Sequence, residues 1–364
     1  MPARESAGLE AVGSVAVRTF AAHQSIDTAR TRAVRHAATG ADTDRFADYD
    51  DDLTGGQLYD PDAEYEPDPE YAATLAPDAA RQRRERVGPT GRPLPYFPIP
   101  GPVSEHGPAT IIAMCNQKGG VGKTTSTINL GAALAEYGRR VLLVDFDPQG
   151  ALSVGLGVNP MELDITVYNL LMERGLAADE VLLKTAVPGM DLLPSNIDLS
   201  AAEVQLVSEV ARESTLQRAL KPLMQDYDYV IIDCQPSLGL LTVNALTAAH
   251  RVIVPLECEF FALRGVALLT ETIEKVRERL NPELDLDGIL ATMYDSRTVH
   301  SREVLARVVE AFGEHVFHTV IGRTVRFPET TVAGEPITTY ASNSVGAAAY
   351  RQLAREVLAR CHAE

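Results

Sequence analysis

The chain has no tryptophan and only four cysteines in 364 residues, at Cys115, Cys234, Cys258 and Cys361. No two of them stand in C-x-x-C spacing, which argues against an iron–sulfur redox protein or a cluster carrier that needs paired thiols. Three lie at or just past apolar runs, so buried thiols in a reducing compartment are the expectation. Lysine is almost as scarce, with five in all, at 118, 123, 184, 221 and 275. Together with a formal net charge of −17, this argues against a broad basic face coating nucleic acid. No stretch is apolar enough to span a bilayer, and the N-terminus is not a secretory signal. The location expected is cytoplasmic.

Apolar periodicity is also missing from the first 107 residues. That segment holds eleven arginines, no lysine and eighteen acidic residues, a net of −7. An acidic stretch from Asp48 to Glu70 cannot bury enough surface to offset chain entropy. A basic cluster, Arg81-Gln82-Arg83-Arg84-Glu85-Arg86, and a proline-rich link from Pro89 to Pro108 follow. Residues 1–107 read as a disordered acidic, proline-rich arm with at most a short helix around Ser25 to Ala37. Residues 108–364 read as one globular domain.

From residue 109 short continuous apolar runs alternate with helical patterns. Strands are predicted at 111–115, 141–144, 190–193, 229–232, 252–256 and 288–293. Helices are predicted at 124–137, 199–206, 215–225, 240–248, 262–280, 301–312 and 345–361. Uninterrupted apolar strands are covered on both faces. The fold class is therefore α/β, a mostly parallel sheet with helices on both faces. Ligands of such sheets sit at the carboxyl ends of strands.

Every chemical motif falls at those ends. Residues 117–125 read Gln-Lys-Gly-Gly-Val-Gly-Lys-Thr-Thr between a predicted strand and a predicted helix. Gly119, Gly120 and Gly122 let backbone N–H groups turn toward phosphate oxygens, and the helix N-terminus adds its dipole. With Val121 and Thr125 they form a nucleotide-binding loop. Lys123 can reach the β and γ phosphates, and the Thr124 hydroxyl can ligate Mg²⁺. Asp145 and Asp147 end the second strand on one side of an extended chain, suited to positioning Mg²⁺ and an attacking water. Asp233 ends the apolar run Tyr229-Val230-Ile231-Ile232 in the Walker B form and would also hold Mg²⁺.

The second lysine, Lys118, departs from the ordinary phosphate loop and marks the deviant Walker A class. Over 109–362 the chain resembles the ParA/Soj family of chromosome and plasmid partitioning ATPases, part of the MinD-like group of P-loop NTPases. The resemblance rests on Asn116–Thr125, Asp145-Phe146-Asp147-Pro148-Gln149-Gly150, Pro236–Thr242, Ala262-Leu263-Arg264-Gly265 and Thr292–Thr298. It implies a Mg²⁺-dependent ATPase that closes into a homodimer with ATP, Lys118 completing the partner's site and Asp147 supporting hydrolysis. It implies non-specific DNA binding in the ATP state, nucleoid association, and a ParB-like or condensin-associated partner. The family's DNA-contacting arginines map onto Arg297 and Arg326, with Arg323 on the same stretch. The chain departs from the family at Gly322, where proline is usual, and at Cys234-Gln235. A MinD-like membrane-cycling regulator is the alternative. It needs a terminal amphipathic helix with a basic face, and Ala354–Glu364 is short and mixed in charge, so no membrane contact is expected.

Overall fold

The computed structural model describes residues 87–259 and 262–361. The helix expected near Ser25 to Ala37 lies outside them. The strands are β1 (Thr110–Met114), β2 (Val141–Phe146), β3 (Leu183–Lys184), β4 (Met190–Leu193), β5 (Tyr229–Cys234), β6 (Arg251–Glu257) and β7 (Asp285–Thr292). They form a single sheet in the order β3-β4-β2-β5-β1-β6-β7. All neighbours are parallel except β3, which runs against β4. The longer helices are α1 (Lys123–Glu136), α2 (Leu199–Gln205), α3 (Leu240–Ala248), α4 (Ala262–Arg279), α5 (Val299–Phe312), α6 (Arg326–Ala333) and α7 (Val345–Cys361).

Alternation along each strand divides the interior into two layers. Ile111 and Ala113 of β1, with Leu142 and Val144 of β2, face a core closed by α2, α3, α4 and α5. Ile112, Met114 and Leu143 face the other way, onto α1 and α7. Both layers are fully covered, which is why β2 and β5 are buried at every position and read as unbroken apolar runs.

β1 lies between β5 and β6 in the sheet. The segment after β1 therefore emerges between the ends of its two neighbours. This placement sets which side chains meet the phosphate loop.

Residues 87–107, assigned by composition to a disordered arm, make specific contacts with the domain. Val87 and Pro93 form an antiparallel bridge. The Arg92 guanidinium donates to the Gly313 carbonyl at 3.0 Å and to that of Val316. Phe97 packs edge-on against His318, with ring centroids 6.5 Å apart. Arg139 donates to the Gly101 carbonyl at 2.9 Å, and Asp228 takes both His106 Nδ1 at 2.8 Å and Gly107 N–H at 3.1 Å. Asp228 and Arg139 sit just before β5 and β2, so this strap crosses the base of the sheet, opposite the phosphate loop. Proline and glycine there shape an extended path, and polar anchors far along the chain hold it.

A buried carboxylate ties α7 to the far edge of the sheet. Glu356 is fully buried and accepts the backbone N–H groups of His318 at 2.8 Å and Thr319 at 2.9 Å. Arg360 pairs with it at 3.1 Å and lies 4.1 Å from the Phe317 ring centroid. Glu356→Ala leaves the N–H groups of His318 and Thr319 without their acceptor and takes the carboxylate from Arg360, which keeps only carbonyl partners at Asp287 and Val316, and is expected to cost about 3–5 kcal/mol. Glu356→Gln keeps one acceptor and should cost less. Urea unfolding of both variants checks the ranking.

Candidate nucleotide site

The phosphate loop leaves β1 at Cys115 and enters α1 at Lys123. Gly120 and Gly122 hold φ of +75° and +84°, a left-handed conformation that side chains resist. Asn116 fixes the start of the loop. Its amide donates to the Pro255 carbonyl of β6 at 2.7 Å, and its carbonyl accepts Lys118 N–H at 3.0 Å. Thr292, at the end of β7, fixes the middle by donating to the Val121 carbonyl at 2.8 Å. The next residue, Met293, sits at φ +51°, a strained position for a side chain this size. Gly119 and Gly120 are exposed, Val121 and Lys123 are buried, and Gly122, Thr124 and Thr125 are intermediate.

Lys123 curls over the loop and donates to the Lys118 carbonyl at 3.2 Å. Thr124 donates to Asp233 at 2.6 Å. Asp233 and Asp145 face each other as register partners on β5 and β2, and both are essentially inaccessible to solvent. Burial pushes the Asp145 carboxyl up to about 7 against the hydrogen bonds of Ser153. Burial, reinforced by the charge of Asp145, raises Asp233 as well. Two desolvated carboxylates beside a threonine hydroxyl form an oxygen-donor set that a divalent cation relieves, and the set fits Mg²⁺. Magnesium held there by Thr124, Asp145 and Asp233 would supply charge neutralisation for phosphate oxygens.

Asp145 also organises the segment that carries Asp147. Its Oδ2 accepts Ser153 N–H at 2.8 Å and Oγ–H at 2.7 Å, and Ser153 Oγ accepts Ser195 N–H at 3.2 Å. Asp147 accepts Gln149 N–H at 3.0 Å in a tight turn. The turn closes with Gly150 N–H on the Asp147 carbonyl at 3.0 Å. Asp147 is only partly buried and lies at the mouth of the site.

Lys118 Nζ bonds Glu257 at 2.9 Å and Glu259 at 2.5 Å, both at the end of β6. Partial burial works against its charge, but the hydrogen bonds of Glu259 and Glu257 outweigh it and raise the ammonium above the usual lysine range. Sequence reading passed over these glutamates and Ser153, and took Thr292 only as part of a family motif, with no role in fixing the loop. The signal for the glutamates was present: Glu-x-Glu ends an apolar strand.

The three candidate DNA arginines lie on adjoining segments, joined by a bridge between Tyr294 and Gly322. All are exposed, and each touches a carboxylate of its own chain. Arg297 pairs with Asp295 at 2.9 Å, Arg323 with Glu257 at 3.4 Å and Arg326 with Glu329 at 2.9 Å. The hydrogen bonds of Arg297 hold Asp295 down to about 2. Among the described residues, no cluster of three or more His, Cys, Asp or Glu forms a separate metal site, and no helix is long and apolar enough to cross a membrane.

Sheet order, glycine loop and paired carboxylates define a P-loop nucleoside triphosphatase carrying a second lysine at the start of its loop. A family model described as an AAA domain matches residues 109–286. The chain is 47% identical over 249 residues to the sporulation initiation inhibitor protein Soj of Bacillus subtilis, covering 68% of this chain and 98% of that protein. It is 48% identical over 255 residues to the chromosome partitioning protein ParA of Caulobacter vibrioides, covering 70% and 95%. An uncharacterized protein of Mycobacterium tuberculosis is 66% identical over 300 residues, covering 82% of this chain and 93% of its own length. Among solved structures, cobyrinic acid a,c-diamide synthase from Mycobacterium smegmatis with bound ADP and magnesium is 46% identical. Its TM-score is 0.63, covering 70% of this chain and 96% of that one. The same protein is also solved with an ATP analogue and magnesium. The chain belongs to the ParA/Soj family and is an ATPase that uses ATP and Mg²⁺.

Two outcomes follow from the site. Raised carboxyls bind more protons in the folded chain than in the unfolded one, where an aspartate titrates near about 3.9. Without Mg²⁺-ATP, stability is therefore expected to fall as pH rises from about 4 to about 7, the value reached by Asp145. Saturating Mg²⁺-ATP should flatten that slope, as read by urea unfolding across pH. Separately, Lys123→Ala should abolish ATP binding. Asp147→Ala should keep it and lower hydrolysis by roughly 10²-fold or more. Equilibrium binding and phosphate release distinguish the two, and hydrolysis at the parent rate in Asp147→Ala would remove that residue from the chemistry.

Proposed function

We propose that this ATPase is a nucleotide-switched dimer that binds DNA without sequence preference in the ATP state. It acts in chromosome or plasmid segregation, in the cytoplasm, with a ParB-like or condensin-associated partner. The observation that carries the reading is Lys118. It sits at the open mouth of the phosphate loop with its side chain 46% exposed, while Lys123 occupies the loop's own interior. A lysine so placed serves a phosphate presented by a second copy better than one in its own loop.

In this reading the loop N–H groups and Lys123 bind the phosphates, and Thr124, Asp145 and Asp233 hold the metal. Asp147 orients the attacking water. Phosphoryl transfer is mostly positioning and charge stabilisation, so these groups suffice once water is organised. Arg297, Arg323 and Arg326 contact DNA phosphates. Each must exchange an internal carboxylate for a phosphate, which keeps single-copy affinity low and makes a dimer necessary.

Lys118→Ala is expected to bind ATP yet stay monomeric in light scattering, and an ATP-bound dimer of parent affinity would end the trans role. Arg297→Ala and Arg326→Ala should each weaken ATP-dependent binding to any DNA sequence and flatten its salt dependence by roughly one unit of slope. A salt series with ATP and with ADP reads both effects. Absence of DNA binding by the parent at low salt would leave a dimerising ATPase without a DNA role.

A further inference from the structure

β6 ends at Glu257, and the chain turns at once, Glu259 N–H donating to the Glu257 carbonyl at 2.7 Å, so that both carboxylates reach Lys118 Nζ. Because β6 lies next to β1, this turn faces the first residues of the phosphate loop. Asn116 clamps the two strands together there and holds the Lys118 backbone N–H, so the backbone is fixed while the Lys118 side chain can turn away from the pair. The two glutamates differ in setting. The Glu257 side chain is 12% exposed and is shared with Arg323 at 3.4 Å, whereas that of Glu259 is 55% exposed.

We propose that Glu257 and Glu259 are positioning residues that hold Lys118 along its own chain and so set the threshold at which two copies close over ATP. The inference rests on the trans role proposed for Lys118. A lysine bonded to these carboxylates cannot reach a nucleotide on another copy, so closure breaks both ion pairs. Release leaves neither carboxylate stranded. Glu259 passes to water, and Glu257 keeps Arg323 as its counter-charge. The hold is therefore reversible, where a buried lysine–carboxylate pair with no third partner would not be. Arg323 takes a second part here. By competing for Glu257 it weakens the grip on Lys118.

The test uses the full chain and two independent readouts. The first is competitive acylation of lysines by trace acetic anhydride, quantified by peptide mass spectrometry, with Lys221 and Lys275 as internal references. Glu259→Gln and the double variant Glu257→Gln/Glu259→Gln should raise Lys118 acylation roughly three- to tenfold, the range expected for one or two exposed ion pairs. Glu259→Asp should stay near the parent, and Arg323→Ala should lower the rate. The second is Mg²⁺-ATP-dependent dimerisation by light scattering without DNA. The midpoint protein concentration should fall by a similar factor in the Gln variants and rise in Arg323→Ala. Unchanged Lys118 acylation in both Gln variants overturns the hold. Faster acylation with weaker dimerisation also overturns it, placing the glutamates inside the closed dimer instead. If the parent chain does not dimerise with Mg²⁺-ATP, the trans role itself fails, and the threshold falls with it, while acylation still reports whether the ion pairs exist.

Discussion

Two carboxylates, Asp145 and Asp233, are driven side by side into a water-free position by the pairing of β2 with β5. Much of the site follows from that enforced proximity. Hydrophobic burial on both faces of the sheet fixes the strands, and the strands leave the acids no route to solvent. The chain then surrounds them with donors: Thr124 on one, Ser153 twice on the other. These donors are also structural links, since Thr124 opens α1 and Ser153 connects to the end of β4 through Ser195. The two buried carboxyls thus become the fixed point from which the loops around the nucleotide are hung.

The positive charge near the site is handled in the opposite way. Lysine is scarce, and both loop lysines lie close to protein oxygens: Lys123 on a carbonyl, Lys118 on two carboxylates. Arg297, Arg323 and Arg326 are each answered by an acid. In a chain of strong negative charge this arrangement gives specificity through exchange. A phosphate must displace an internal carboxylate, so weak or misplaced anions gain little.

The sheet was legible because strands buried on both faces leave apolar runs that no other element produces, and predicted limits at 190–193 and 240–248 match β4 and α3. The phosphate loop, the strand-end aspartates and the strand–loop–helix order were legible because glycine, lysine and aspartate at those spacings have few alternative uses. Short elements escaped. β3 has two residues and one neighbour, and the six-residue helix Val167–Met172 carries too few residues for periodicity to show. The strap over 87–107 escaped for another reason. Proline-rich composition resembles a linker, while its anchors, Gly313 and Asp228, stand more than a hundred residues away. Glu257 and Glu259 escaped because their partner, Lys118, lies in a loop adjacent in space and remote in sequence.

The strap also holds a stretch of chain at both ends. Arg92 is bound at the Gly313–Val316 corner and Gly107 at Asp228. A residue inserted between those anchors is therefore taken up as slack within the strap, and β1, with the loop it feeds, stays where it is.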